Sequence, residues 1–163
     1  MGELIHFNKR VRRMVAIHDV AKTFLNMESM SPKKLQKLCF YAYSWYLTYT
    51  KQRLFENNFE AWIHGPVDPV LYQQYREFGY TNVPRENTVP VSVAEKPEIY
   101  DFIVSVYNSY GHLTADQLEY LTHMQRPWLN ARAGLKSFDW SNNPIRDEDI
   151  IAHHTEELVN AKS

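Results

Sequence analysis

Apolar residues recur at Ile17, Val20, Ala21, Phe24 and Leu25, the i, i+3, i+4, i+7, i+8 spacing of an amphipathic helix. Asn26 to Met30 reads as a turn, and Ser31-Pro32 supplies a capping hydroxyl followed by a proline at the first helical position. The helix this starts is predicted from about Pro32 to about Thr50. Leu35, Leu38, Ala42, Trp45 and Tyr49 mark one face, and Phe40, Tyr43 and Leu47 the opposite one. A helix apolar on two sides belongs at the centre of a fold. Asp68-Pro69 is a second cap-plus-proline start, for a helix over Val70 to Phe78 closed by Gly79. Ile99, Phe102, Ile103, Val106, Tyr107 and Tyr110 mark another helix after Pro97, ended by Gly111. Thr114 and Gln117 have the spacing of a capping box and start a helix to about Met124. A short helix follows Pro127, and a last one runs from about Arg146 to Asn160 with Ile150, Ile151, His154 and Leu158 inward.

Period-two alternation is confined to two stretches. Leu54 to His64 carries Phe55, Phe59, Ala61 and Ile63 between polar residues, and Thr88 to Val93 alternates around Pro90, which restricts it to an edge. Their pairing would make a minimal two-stranded element. The expected fold is mainly α: a single compact helical domain over 1–163 around a buried central helix at about 32–50. A basic segment over 1–15 precedes a core of about 16–160. Repeats, low-complexity tracts and linkers are absent from the pattern.

Composition changes this picture little. The 44% hydrophobic and 23% charged fractions are ordinary for a globular chain, whereas the 14% aromatic fraction, led by 11 tyrosines, is high. Tyrosine covers much area with few rotatable bonds, which suits cores and binding surfaces alike. The net charge of -1 hides an asymmetry: residues 1–81 hold 11 Lys+Arg against 7 Asp+Glu, and residues 82–163 hold 7 against 12. No run approaches the ~20 apolar residues of a membrane span, and the first residues lack the apolar stretch of a secretory signal, so a cytoplasmic protein is expected. One cysteine, Cys39, rules out an internal disulfide framework.

Candidate chemistry is thin. Cys39 lies within an apolar helix pattern, where a thiol packs as a small core residue. No Gly-x-Ser-x-Gly elbow and no glycine-rich phosphate loop occurs. His123 has no His or Cys at i+4. His153 and His154 are adjacent, so on a helix they leave the axis about 100° apart and are expected not to share a metal. Carboxylate pairs such as Asp147/Asp149 and Glu156/Glu157 read as solvated faces. Neither catalysis, a cofactor nor a metal is expected. Lys9, Arg10, Arg12 and Arg13 could contact phosphates, although an isoelectric point of about 6.7 speaks against a dedicated nucleic-acid binder.

Two segments are unusual for a plain scaffold. Glu60-Ala-Trp-Ile-His-Gly-Pro-Val-Asp-Pro-Val-Leu-Tyr72 packs Trp, Gly and two prolines into a stiff turn that feeds a helix, and Leu121-Thr-His-Met-Gln-Arg-Pro-Trp128 spans a helix junction. Together with Leu35-Gln36-Lys37-Leu38, Tyr41, Trp45 and Leu47, the residues Trp62, Gly65, Pro66, Val67, Pro69 and Tyr72 resemble the Panacea domain. This family includes SocA-like antitoxins and phage-associated proteins once called GepA. Thr122, His123, Pro127 and Trp128 resemble its C-terminal motif. His64 departs from the pattern, standing where an aromatic is more usual. The resemblance spans about Ile17 to His154. It implies a bacterial antitoxin, often prophage-borne and encoded beside a toxin, that neutralises a cognate toxin by direct protein contact. A SocA-like member instead hands its toxin to a AAA+ protease as an adaptor. A DNA-binding regulator using the basic N-terminal segment is a third reading.

On this reading the motif residues, Trp62, Pro66, Tyr72 and Trp128 above all, are structural. The anchors for the partner are then expected on exposed positions: Tyr80, Arg85 and Asn87 in the long loop after Gly79, and Arg10, Arg12 and Arg13 near the start.

Overall fold

The computed structural model describes residues 14–56 and 58–162. Arg10, Arg12 and Arg13, named above as anchors, lie outside the described residues. Eight α-helices and one two-stranded antiparallel sheet make up the described chain, in the order α1 (Ile17–Met27), α2 (Pro32–Thr50), β1 (Glu60–Trp62), β2 (Gly65–Val67), α3 (Pro69–Tyr75), α4 (Val91–Ala94), α5 (Pro97–Tyr110), α6 (Ala115–His123), α7 (Arg126–Ala131) and α8 (Asp147–Ala161). A 3₁₀ turn, Arg76–Phe78, extends α3. The fold is mainly α, and no helix among the described residues is long and apolar enough to cross a membrane.

Helix α2 forms where the sequence places it. The Ser31 side chain accepts from the Lys34 amide, Pro32 sits in the first turn, and Lys51 ends the helix in the left-handed region at φ 59°. Buried side chains surround it from Leu35 to Thr48, save half-buried Trp45. Helices α1, α3, α5, α6 and α8 and strand β2 all pack against it. The core is rich in rings: Phe40 meets Tyr41 and Phe59 edge-on, Tyr43 stacks on Phe55, and Tyr41 stacks on Tyr110 at 4.2 Å. Such pairs add about 0.5–1.5 kcal/mol beyond the area they bury.

The capping box at α6 is complete: the Gln117 amide donates to the Thr114 hydroxyl, and the Gln117 side-chain carbonyl accepts from the Thr114 amide.

The β element differs from the expected pairing. Strand β1 pairs with β2 across a tight turn, with Glu60 opposite Val67 and Trp62 opposite Gly65. The stretch around Pro90 instead caps α4: the Pro90 carbonyl accepts from the Val93 and Ala94 amides. Pro90 fixes its own φ at -55°, which suits a helix start, and four residues suffice to bury Val93. Local hydrogen bonding outweighs the short alternation there.

The segment between the 3₁₀ turn and α4 is tied down along α1. The Val83 amide donates to the Met30 carbonyl, the Glu86 amide to the Leu25 carbonyl, and the Ser29 hydroxyl to the Val83 carbonyl. Arg85 is exposed, but its Nε donates to the Asn26 carbonyl at 2.8 Å. Asn87 and Tyr80 are exposed, Tyr80 completely so.

Candidate functional site

The motif residues converge on one end of α2. Gln36 and Lys37 follow the first turn of that helix and are buried, facing β2 and the start of α3. Gln36 reads the backbone of Asp68 twice: its Nε2 donates to the Asp68 carbonyl at 3.0 Å, and its Oε1 accepts from the Asp68 amide at 2.9 Å. The Asp68 carboxylate then accepts from the Leu71 amide and caps α3, with Pro69 beginning the helix. Leu35 and Leu38 enter the core beside it. The Leu-Gln-Lys-Leu run is therefore a key cut for the Gly65–Pro69 corner.

Lys37 goes deepest. Only 1% of it is exposed, and its Nζ donates to the Pro66 carbonyl at 3.2 Å. Its Cε would lie 2.4 Å from a Cβ built on Gly65, and Thr122 Oγ1 would lie 3.0 Å from the same point. Gly65 also holds φ +113°. Any side chain there would be both strained and in collision with Lys37. Burial pulls the Lys37 ammonium down to about 7; the Glu119 charge opposes this and Lys33 adds to it.

That arrangement has a pH signature. The folded state favours the neutral amine, while the unfolded chain holds its proton up to about 10.5, so between pH 7 and 9.5 unfolding takes up a proton and stability rises with pH. From pH 7 to pH 9 the gain is about 2 kcal/mol. Urea titrations at the two pH values should show it in the wild type, and Lys37→Met should flatten the dependence. A variant with the wild-type slope would assign the effect elsewhere.

The C-terminal half of the motif clamps the sheet from the other side. Trp128 is buried, and its Nε1 donates to the Trp62 carbonyl at 2.8 Å. His123 stacks on it with ring centroids 4.0 Å apart, and burial lowers the His123 pKa. Thr122 is buried and donates to the Glu119 carbonyl; Pro127 is buried in the first turn of α7. Arg132 is almost fully buried with its guanidinium over the Trp128 ring, and Nη1 donates to the Ala61 carbonyl. The sequence reading did not single out Arg132.

The two tryptophans are not equivalent. Trp62 is half-buried, against the expectation that both fill the core, and Tyr72 is exposed. Their rings meet edge-on at 5.0 Å. They form one wall of a groove of about 650 Å³ that also touches Leu35, Gln36, Lys37, Val67, Leu71, Tyr75 and Arg76 and reaches Tyr80. The loop that follows starts at the end of this groove, so Tyr80 belongs to the motif surface rather than to a separate patch. His64 is exposed at the rim, its Nδ1 3.2 Å from Glu119, and it does not fill a packing position. On the same rim Lys33 pairs with Asp116 and Glu119. The sequence reading missed Leu71, Tyr75 and Arg76; their helical spacing around Tyr72 is the signal that could have found them.

Cys39 is buried, and burial pushes its thiol well above the usual range, which fits a packing residue. The two adjacent histidines lie closer together at their ring nitrogens than their backbone directions suggest. His153 and His154 converge: His153 Nε2 lies 2.8 Å from Glu157 Oε1, and His154 Nδ1 lies 3.3 Å from Glu157 Oε2. The 100° divergence at the backbone is closed by side-chain length, because Glu157 stands at i+4 from one and i+3 from the other and lies between them. Those two contacts hold the Glu157 carboxyl at about 2, and burial lowers His154.

Neither a curated protein nor a solved structure matches the chain significantly. A family model does: antitoxin SocA-like, Panacea domain, over residues 35–129, more than half of the 163-residue chain. The matched stretch begins at Leu35 and ends one residue after Trp128, so it contains Gln36, Lys37, both strands, Thr122, His123 and Trp128 and stops short of Arg132. The chain belongs to the SocA-like Panacea-domain antitoxin family.

Proposed function

We propose that the protein is the antitoxin of a toxin–antitoxin pair, and that it silences its toxin by binding it, without turnover of its own. The supporting observation is the groove, walled by the family's own Trp62 and Tyr72 and extended by Tyr80. Tyr and Trp are the residues that most often dominate binding energy at interfaces. Here they are held by buried partners: the Trp62 carbonyl by Trp128, and the start of α3 by Gln36 and Asp68. Rigid anchors lose little entropy on binding. A stable complex needs about 800 Å² from each partner, more than the groove alone offers, so the interface extends over the Tyr80–Asn87 segment.

In this reading no groove side chain turns over a substrate: the Lys37 amine is covered by Gly65 and donates to the Pro66 carbonyl. The test is co-expression with the product of the adjacent gene. The reading expects restored growth and co-purification at fixed stoichiometry, with the toxin's mass unchanged. Loss of the toxin that depends on a AAA+ protease would instead identify an adaptor.

A further inference from the structure

On helix α8, away from the groove, three side chains with metal-ligating atoms come together. We propose that His153, His154 and Glu157 form a binding site for a divalent transition-metal ion of the Zn²⁺ class. Their ligand atoms lie within 4.8 Å of one another. His153 Nε2 lies 2.8 Å from Glu157 Oε1 and His154 Nδ1 lies 3.3 Å from Glu157 Oε2, so both imidazole nitrogens already face the one carboxylate, each at a different oxygen. Two imidazoles and one carboxylate are a donor set for zinc, nickel or copper. Calcium and magnesium prefer all-oxygen shells.

The surroundings shape the site on one side only. His154 is fully buried, with its ring 4.6 Å from Trp45 and 6.2 Å from Tyr41. Gln125 Nε2 donates to Glu157 Oε1 at 3.3 Å, and the Tyr41 hydroxyl donates to Gln125 Oε1. Glu157 keeps 38% of its side chain exposed, so the fourth position opens to water. Three protein ligands with one open position are the arrangement of an accessible zinc site. A metal there replaces the two His–Glu contacts with bonds to one ion within α8.

The affinity is limited by what stands behind the ligands. His153 Nδ1 and His154 Nε2 are buried and have no hydrogen-bond partner among the described residues. Metal-bound histidines normally donate their second nitrogen's proton, and losing that bond costs about 10–100-fold in affinity. The site is therefore expected in the micromolar range, as a regulatory or stabilising site and not a permanent structural one.

Tag-free full-length protein, stripped with a chelator, should be titrated with Zn²⁺ by calorimetry. The expected result is one ion per chain with a Kd of about 1–50 µM and a higher melting temperature with Zn²⁺. His153→Ala and Glu157→Gln should each weaken binding at least tenfold, and His112→Ala, an exposed control, should not. Co²⁺ on the wild-type protein should give the visible absorption of a tetrahedral site, which tests the geometry without any substitution. Absence of stoichiometric Zn²⁺ binding, affinity unchanged in both ligand variants, or an octahedral Co²⁺ spectrum would overturn the proposal.

Discussion

Trp128→Ala should cost about 3–5 kcal/mol, the range for deleting a buried tryptophan side chain. Against a typical domain stability of about 5–15 kcal/mol that is a large share. The structure gives reasons for the upper end. The indole fills a buried slot between His123 and the Arg132 guanidinium, and its Nε1 is the donor for the Trp62 carbonyl. Removing it opens a cavity and leaves Arg132 packed over nothing while still bonded to the Ala61 carbonyl. A guanidinium desolvated without its stacking partner adds to the loss. Chemical denaturation should show a midpoint shift with little change in slope, and soluble yield should fall. Wild-type stability would mean that the clamp on β1 is held by Arg132 alone.

Tyr72→Ala should do the opposite. The ring is 38% exposed on the groove wall and packs edge-on with Trp62, so the fold should change by no more than about 1 kcal/mol. Partner binding should fall by about 30-fold or more, because truncating an interface anchor costs about 2 kcal/mol or more. Tyr80→Ala, at the far end of the groove, should behave likewise, and the pair should separate stability from recognition cleanly. Affinity measured by biolayer interferometry, beside the melting temperature of each variant, checks this. Full affinity in the double variant would move the interface off the groove.

The contrast between these two predictions shows what the sequence discloses. Features governed by a few neighbouring residues were legible: the Ser31-Pro32 start of α2, the Asp68-Pro69 start of α3, and the Thr114/Gln117 box at α6. Each is a contest between a side chain and a backbone amide three residues on, which spacing alone decides. The two-sided apolar pattern of 32–50 likewise announced a buried centre. What was not legible depends on partners distant in sequence. Nothing within residues 60–72 distinguishes a buried Trp62 from a groove-lining one; Trp128, 66 residues away, occupies the buried slot instead. That the Lys37 side chain runs into the core depends on Gly65, 28 residues away, which is laid over it. The alternation at 88–93 was real, but β2 holds one edge of β1 and the Asn143–Ile145 backbone bonds along the other. The convergence of His153 and His154 on Glu157 was not legible either, because side-chain reach and not the backbone angle decides it.

The Tyr80–Val91 loop shows the same limit. Its length suggested a free, variable binding element, yet its middle is stitched to the end of α1 by Val83 and Glu86. Tyr80 is the residue of that segment that combines full exposure with a place on the groove. Arg85, held by the Asn26 carbonyl, serves the scaffold as well as the surface.

The proposed function rests on a toxin being bound through the Trp62–Tyr72–Tyr80 surface. The most direct measurement is growth rescue by wild type and by the Tyr72→Ala/Tyr80→Ala double variant, co-expressed with the product of the neighbouring gene and followed by co-purification. Wild type is expected to rescue growth and to form a stoichiometric complex. The double variant is expected to do neither, while staying soluble with an unshifted melting temperature. Rescue by the double variant, or rescue by the wild type with no complex and a chemically altered toxin, would contradict the proposed function.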